Sequence, residues 1–228
     1  MKKSNLLLIL IAFAVSSVSG FSERPFTPGE PMNLTEYEVQ KFESHVQSRL
    51  PLYIDEFRKY ANMYQIPWPL LAAVAYQESK WDHAAVSYTG VRGLMQITEQ
   101  TAEHIGIEDR RDPIENIRGG AYYLKYLFNK TSPALSTMQR WSHALIAYNL
   151  GWGHFRDACR LAHRLSMNPL KWDELKQVLP KLENEEFYSG LNHGFARGTE
   201  TVEFVDNVFS YYNLLANPLS FNSNIASL

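Results

Sequence analysis

The feature that most constrains this chain is the spacing of its apolar residues. From Thr35 to Leu215 they recur at steps of three and four between capping and proline signals, and no stretch shows the sustained alternation of a strand. The expected fold is therefore mainly α. No internal repeat is visible, which argues against a solenoid.

Helix boundaries can be read in several places. Thr35 with Glu38 three residues on has capping-box spacing, and Pro51 is expected to close the first helix. A second, from about Leu52 to Tyr64, carries an apolar stripe of Ile54, Phe57, Tyr60, Ala61 and Tyr64. Pro67 and Pro69 mark the start of a third, because a first-turn proline forfeits no hydrogen bond. Thr98 and Gly106 bracket a short helix, and Asp112-Pro113-Ile114-Glu115 reads as N-cap, N1 proline and N3 glutamate. Further helices are expected over Thr137–Asn149, His154–Leu165, Lys171–Leu179 and Thr201–Leu215, with Gly151 as a left-handed cap and Pro218 beyond the last.

The N-terminus has the order of a secretory signal: Lys2 and Lys3, an apolar run from Leu6 to Val15, then Ser16, Ser17, Ser19 and Gly20. That run falls short of the roughly 20 residues of a membrane span. Residues 1–20 are thus expected to be a signal peptide, 21–34 an extended tether with Pro25, Pro28, Gly29 and Pro31, and 35–228 one folded domain. Export implies a periplasmic protein, and an uncleaved signal would leave it associated with a membrane. The single cysteine, Cys159, allows no internal disulfide and reads as a buried structural thiol. A net charge of -2 leaves no cationic excess for a nucleic-acid backbone, so no nucleic acid is expected as a partner. The seven histidines have no metal-ligand spacing, so neither a metal nor another cofactor is expected.

One acid stands out. Glu78 follows Val74 by four residues and Leu71 by seven, which continues the apolar face of the third helix near its C-terminus. Lost hydration and the negative end of the helix dipole both disfavour the carboxylate, so a raised pKa is expected. Periodicity alone equally allows an exposed residue or an ion pair with Lys80 or Arg92.

Beyond Glu78-Ser79 the chain carries Gly93-Leu94-Met95-Gln96-Ile97 and then Ala147-Tyr148-Asn149 followed by Gly151. In this order and spacing they resemble the lytic transglycosylases with a goose-lysozyme-like catalytic domain, over about Leu52 to Leu215. Two later stretches, Arg156 to Ala162 and Arg197 to Val205, look most like a membrane-bound branch of that family, whose large N-terminal binding-protein-like domain has no room here.

The resemblance implies a lysozyme-like fold and peptidoglycan glycan strands as substrate, with a wall-synthesis or secretion complex left open as a partner. It gives Glu78 the role of acid and then base in forming 1,6-anhydro ends, with no second catalytic carboxylate required. It places Ser79, Gly93, Leu94, Met95, Gln96, Tyr148 and Asn149 at the sugar groove. Gly93 would let the backbone approach the ligand, Met95 would form an apolar wall, Gln96 would bond sugar groups, and Tyr148 would lie against Glu78. Without the resemblance, Gly93 to Gln96 read as a turn with a core methionine and Tyr148 as a core aromatic. Glu200 and Tyr212 fall near the groove in relatives but read equally as a helix N-terminal charge and a core aromatic. Two rival readings stay open: a goose-type lysozyme that hydrolyses the strand, and a non-catalytic wall-binding scaffold.

Overall fold

A computed structural model describes residues 34–88 and 90–217. The expected signal peptide, most of the tether and Pro218 lie outside these residues. Among these residues ten α-helices follow in order: α1 (Glu36–Ser48), α2 (Ile54–Tyr64), α3 (Trp68–Ser79), α4 (Glu99–Ile105), α5 (Pro113–Lys130), α6 (Thr137–Leu150), α7 (Trp152–Arg164), α8 (Trp172–Val178), α9 (Glu185–Tyr188) and α10 (Gly198–Ala216). Among the described residues there is no strand, only two isolated antiparallel bridges, Val86 with Arg92 and Arg92 with Ile97.

The cap signals act as their chemistry requires. Thr35 and Glu38 form a reciprocal capping box on α1, and Thr98 and Asp112 each accept a backbone N–H at the starts of α4 and α5. A second capping box, Ser136 with Gln139, sets the start of α6. The short 3-10 turn Leu50–Leu52 contains Pro51, and Pro69 sits in the first turn of α3.

Several boundaries and two short elements differ from the sequence reading. Gly151 closes α6 at φ 90° and ψ 146°, an extended mirror-image conformation and not the left-handed helical cap expected, because it also starts α7 one residue later. Helix α2 starts at Ile54, two residues late, since the 3-10 turn occupies Leu52. Helix α10 starts at Gly198, three residues early. The 3-10 segment Leu179–Glu183 and the single turn α9 are too short to leave a period in the sequence.

Helix α3 is the axis of the molecule. Every residue from Leu70 to Tyr76 is buried, which is how a helix that is apolar all round must be accommodated. Its most extensive neighbour is α10, with α2 on another side, while α5 and α6 pack together and α6 also meets α10 and α7. One continuous core results, running from Phe42 in α1 to Leu215 in α10. At its centre Phe42, Tyr76, Trp81 and Tyr211 form an aromatic cluster, with ring centroids 4.6 Å apart for Tyr76 and Trp81 and 4.7 Å for Tyr76 and Tyr211.

Candidate active site

Glu78 occupies the last turn of α3, one residue before its end at Ser79. Beyond it the chain turns through two consecutive left-handed residues, Lys80 at φ 56° and Trp81 at φ 57°. Side chains of this kind adopt that region only when the surroundings hold them there. The surroundings do: the Trp81 indole donates to the Ala72 carbonyl oxygen at 2.9 Å, and Arg49 donates to the Lys80 carbonyl oxygen at 2.9 Å. The direction in which Glu78 leaves the helix is thereby fixed.

Glu78 is half-buried as a residue, and protein surrounds its carboxyl closely enough that burial pushes its pKa up to about 8. The like charge of Glu200 in the first turn of α10 adds to the rise, and the Lys80 ammonium opposes it. Neither the ion pair with Lys80 nor that with Arg92 is formed among the described residues. The Lys80 ammonium instead lies over the rings of Tyr76 and Tyr211, at 4.8 and 5.1 Å.

Tyr148, on α6, is close enough for the Glu78 charge to help burial raise its own pKa. Its hydroxyl donates to the Met95 carbonyl oxygen at 2.8 Å, so its proton is committed to the loop. The oxygen keeps a lone pair with which to accept from a neutral carboxyl.

The loop from Gly93 to Gln96 is held from several sides. The Ser79 hydroxyl lies 2.9 Å from the Leu94 carbonyl oxygen and 3.1 Å from that of Ala75, joining the end of α3 to the loop. Gln96 donates its amide to the carbonyls of Gly93 at 2.8 Å and Ala85 at 3.2 Å. Leu94 and Met95 are wholly buried, so the expectation of Met95 as a groove wall is corrected. Its side chain packs on α5 where Gly120 has no Cβ; one added there would stand 2.6 Å from the Met95 chain. Gly93 likewise answers to packing, since at φ 79° a Cβ would lie 2.5 Å from the Asn116 amide nitrogen. Whatever this loop offers a ligand comes from its backbone and its rim.

Sequence reasoning missed the residue that organises this region. Asn116, fully buried in α5, accepts from the Met95 N–H at 2.7 Å and donates to the carbonyls of Arg92 at 3.0 Å and Arg110 at 2.9 Å. A polar residue on the buried face of an amphipathic helix was the only signal available.

Asn149 follows Tyr148 and accepts from the Thr201 hydroxyl at 2.7 Å, which ties α6 to α10. It lines a cavity of about 400 Å³ together with His154, Phe195, Arg197 and Glu200. Glu200 is exposed and 3.6 Å from Arg197, and it is the second acid in the field of Glu78. Tyr212, half-buried, packs against the core. The structure thus brings Glu78, Ser79, the 93–96 loop and Tyr148 into one constellation bordered by Asn149 and Glu200.

The transglycosylase SLT domain matches residues 55–170, half of the chain, and that span carries Glu78, the loop and Tyr148. The chain belongs to this family. Among its relatives, membrane-bound lytic murein transglycosylase F of Pseudomonas fluorescens is 45% identical over 174 residues, 76% of this chain and 36% of that protein. The protein of the same name from Aeromonas salmonicida is 41% identical over 203 residues, 89% of this chain and 40% of its own. The chain therefore spans about two fifths or less of the length of these relatives. An inactive mutant of lytic transglycosylase Slt from Pseudomonas aeruginosa superposes with a TM-score of 0.54 at 24% identity, covering 75% of this chain and 25% of the other. That likeness concerns the fold, which is mainly α and lysozyme-like.

Proposed function

We propose that the chain is a peptidoglycan lytic transglycosylase in which Glu78 serves as acid and then as base. The observation that carries the reading is a half-buried glutamate whose carboxyl pKa is pushed up to about 8 at a helix end held by Trp81 and Arg49. A neutral carboxyl can donate to the glycosidic oxygen between N-acetylmuramic acid and N-acetylglucosamine as the bond from the anomeric carbon breaks. The resulting carboxylate takes the proton of the muramic C6 hydroxyl while that oxygen bonds to the anomeric carbon. A 1,6-anhydro end forms, no water is consumed, and Glu78 is neutral again. The attacking oxygen belongs to the substrate, so one carboxyl suffices.

Around it, Tyr148 and Ser79 act as positioning residues through the 93–96 loop, whose backbone and the Asn149 side border the strand. Residues 35–228 form the catalytic domain, preceded by an export signal and a tether, and the protein works on the wall from the periplasm; the name of its relatives, membrane-bound, supports an association with a membrane. Among the described residues no helix is long and apolar enough to cross a membrane.

Mass spectrometry of the soluble products after the purified protein digests peptidoglycan is the test. Anhydro-muropeptides from the parent and a loss of at least about a hundredfold in Glu78→Gln are expected. Glu200 favours one rival, because a second acid beside Glu78 could activate water as in a lysozyme. Reducing-end products that disappear in Glu200→Gln would establish that rival.

A further inference from the structure

Trp68 is only half-buried. It stands at the start of α3, and with Pro67 and Pro69 it walls a mainly apolar groove of about 350 Å³ at the end of the helix opposite Glu78. Asn62 and Gln65 bring amide side chains to its exposed rim, and Arg58 is the one charged residue that lines it. The Arg58 guanidinium lies over the Trp68 ring, 5.3 Å from its centroid. The main chain here is held. Gln65 caps α2 at φ 54°, the Ile66 N–H donates to the Ala61 carbonyl at 2.9 Å, and Lys125 of α5 donates to the Gln65 carbonyl at 3.3 Å. A rigid trough of tryptophan and proline with amide donors at its lip suits a polyproline II segment, whose own carbonyls have no internal partners.

The sequence supplies such a segment. Pro25, Pro28 and Pro31 recur every third residue, and a polyproline II helix has three residues per turn, so in that conformation the three prolines share one edge. The length also suffices. Residues 21–33 lie outside the described residues, and in that conformation they would extend over about 40 Å, whereas the 12 residues of α3 cover about 18 Å. Where the described chain begins, Leu34 already packs against the core, and the first turn of α1 lies near the far end of α3, where the Glu38 charge acts on Lys80. The charges agree as well: Glu23 and Glu30 outnumber Arg24 in the segment, and the groove offers Arg58 with Lys125 beside it.

We propose that residues 21–33 fold back along the body and lie in this groove as a polyproline II strand, with Pro25 and Pro28 against Trp68. Because the segment is joined to the body, it meets the groove at an effective concentration on the order of millimolar, so a contact too weak to hold a free peptide is still filled. Docking turns a loose tether into a short one, and Glu78, at the other end of α3, then keeps a set distance from the N-terminal end of the chain. This inference is independent of the chemistry assigned to Glu78.

The test is the rate at which dilute chymotrypsin cuts after Phe26 in the purified protein, set against the same bond in a synthetic peptide of residues 21–33. The protein should be cut about tenfold more slowly, and Trp68→Ala should bring its rate up to that of the peptide. Equal rates in the parent and the peptide, or a slow rate that Trp68→Ala leaves unchanged, would overturn the assignment. A second measurement leaves the body of the fold untouched. In proton–nitrogen correlation spectra, Pro25→Ser/Pro28→Ser/Pro31→Ser should shift the Trp68 indole N–H and the side-chain amides of Asn62 and Gln65, while the Gln96 amide stays in place. Spectra that coincide sink the proposal. Shifts that vanish on tenfold dilution would give the groove to a second copy of the chain, and shifts seen only with anionic vesicles would give it to a lipid surface; either result refutes the docked segment.

Discussion

At the scale of single residues, the proposed chemistry turns on how Glu78 keeps its proton. Its pKa is raised above the ordinary carboxyl value of 4.5 to about 8, which means the folded protein favours the neutral form. The stability this contributes is complete below the ordinary value and is lost as pH rises through the folded one. Glu78→Gln should therefore melt like the parent near pH 4 and become more stable by roughly 2–3 kcal/mol near pH 9, an amount discounted because the residue is only half-buried. Thermal melts of both proteins across that window check this, and parallel curves would show that Glu78 ionises unhindered. Initial rates of the parent should likewise fall as pH passes about 8, because the donor is lost. Cys159 is expected to stay inert to alkylating reagents at neutral pH, since burial pushes its thiol up to about 12.

The raised pKa was legible in the sequence, because Glu78 continues the Leu71 and Val74 face of a helix and sits near its end. The contribution of Glu200 was not, since 122 residues separate the two and only the packing of α10 on α3 brings the charges together. The same limit explains Tyr148: its place near Glu78 follows from the motif order, but its hydroxyl partner is a backbone carbonyl that no residue pattern encodes.

At the scale of elements, packing decides what the conspicuous loop residues do. Gly119 and Gly120 fall inside α5, where glycine is unfavourable by about 1 kcal/mol each relative to alanine. The contact of Met95 with Gly120 offsets part of that cost. Gly120→Ala should then destabilise by about 1–3 kcal/mol despite alanine's better helix propensity, as denaturant titration would show, because the added methyl meets the Met95 Cβ and Cγ. Asn116→Ala strands one N–H and weakens two carbonyl contacts at once, and should cost about 2–4 kcal/mol with a matching fall in activity. Retained activity in that variant would show that the loop has other anchors. The sequence announced the helices well where a cap or proline punctuated them, as at Thr35, Thr98 and Asp112. It was silent over Leu179–Tyr188, where short turns depend on α10 and α8 for their shape.

At the scale of the whole molecule, the family match ends well short of the working unit. Residues 55–170 contain α3 but neither α10, its most extensive neighbour, nor Arg49, which holds the Lys80 carbonyl. A fragment limited to 55–170 would expose the apolar face that α10 covers, with Val205, Val208 and Phe209 gone from the core. It is expected to aggregate or remain unfolded by circular dichroism, whereas residues 34–217 fold cooperatively. Another long-range tie supports the same boundary. Asp157 in α7 is fully buried and accepts from the His193 backbone N–H at 2.8 Å and from Arg160 at 2.7 Å, which pins the segment leading into α10. Burial works against its charge, but the bond from the His193 ring at 2.9 Å, together with these, outweighs that and holds its pKa below the usual carboxylate range.

The amide of Asn116 has a further consequence for how a substrate is met. One side chain grips three separate stretches of main chain, at Arg92, Met95 and Arg110, so the floor under the acid cannot shift without α5 shifting too. Such a floor behaves as a die and not as a closing hand: it holds its own shape, so whatever lies on it has to supply the fit.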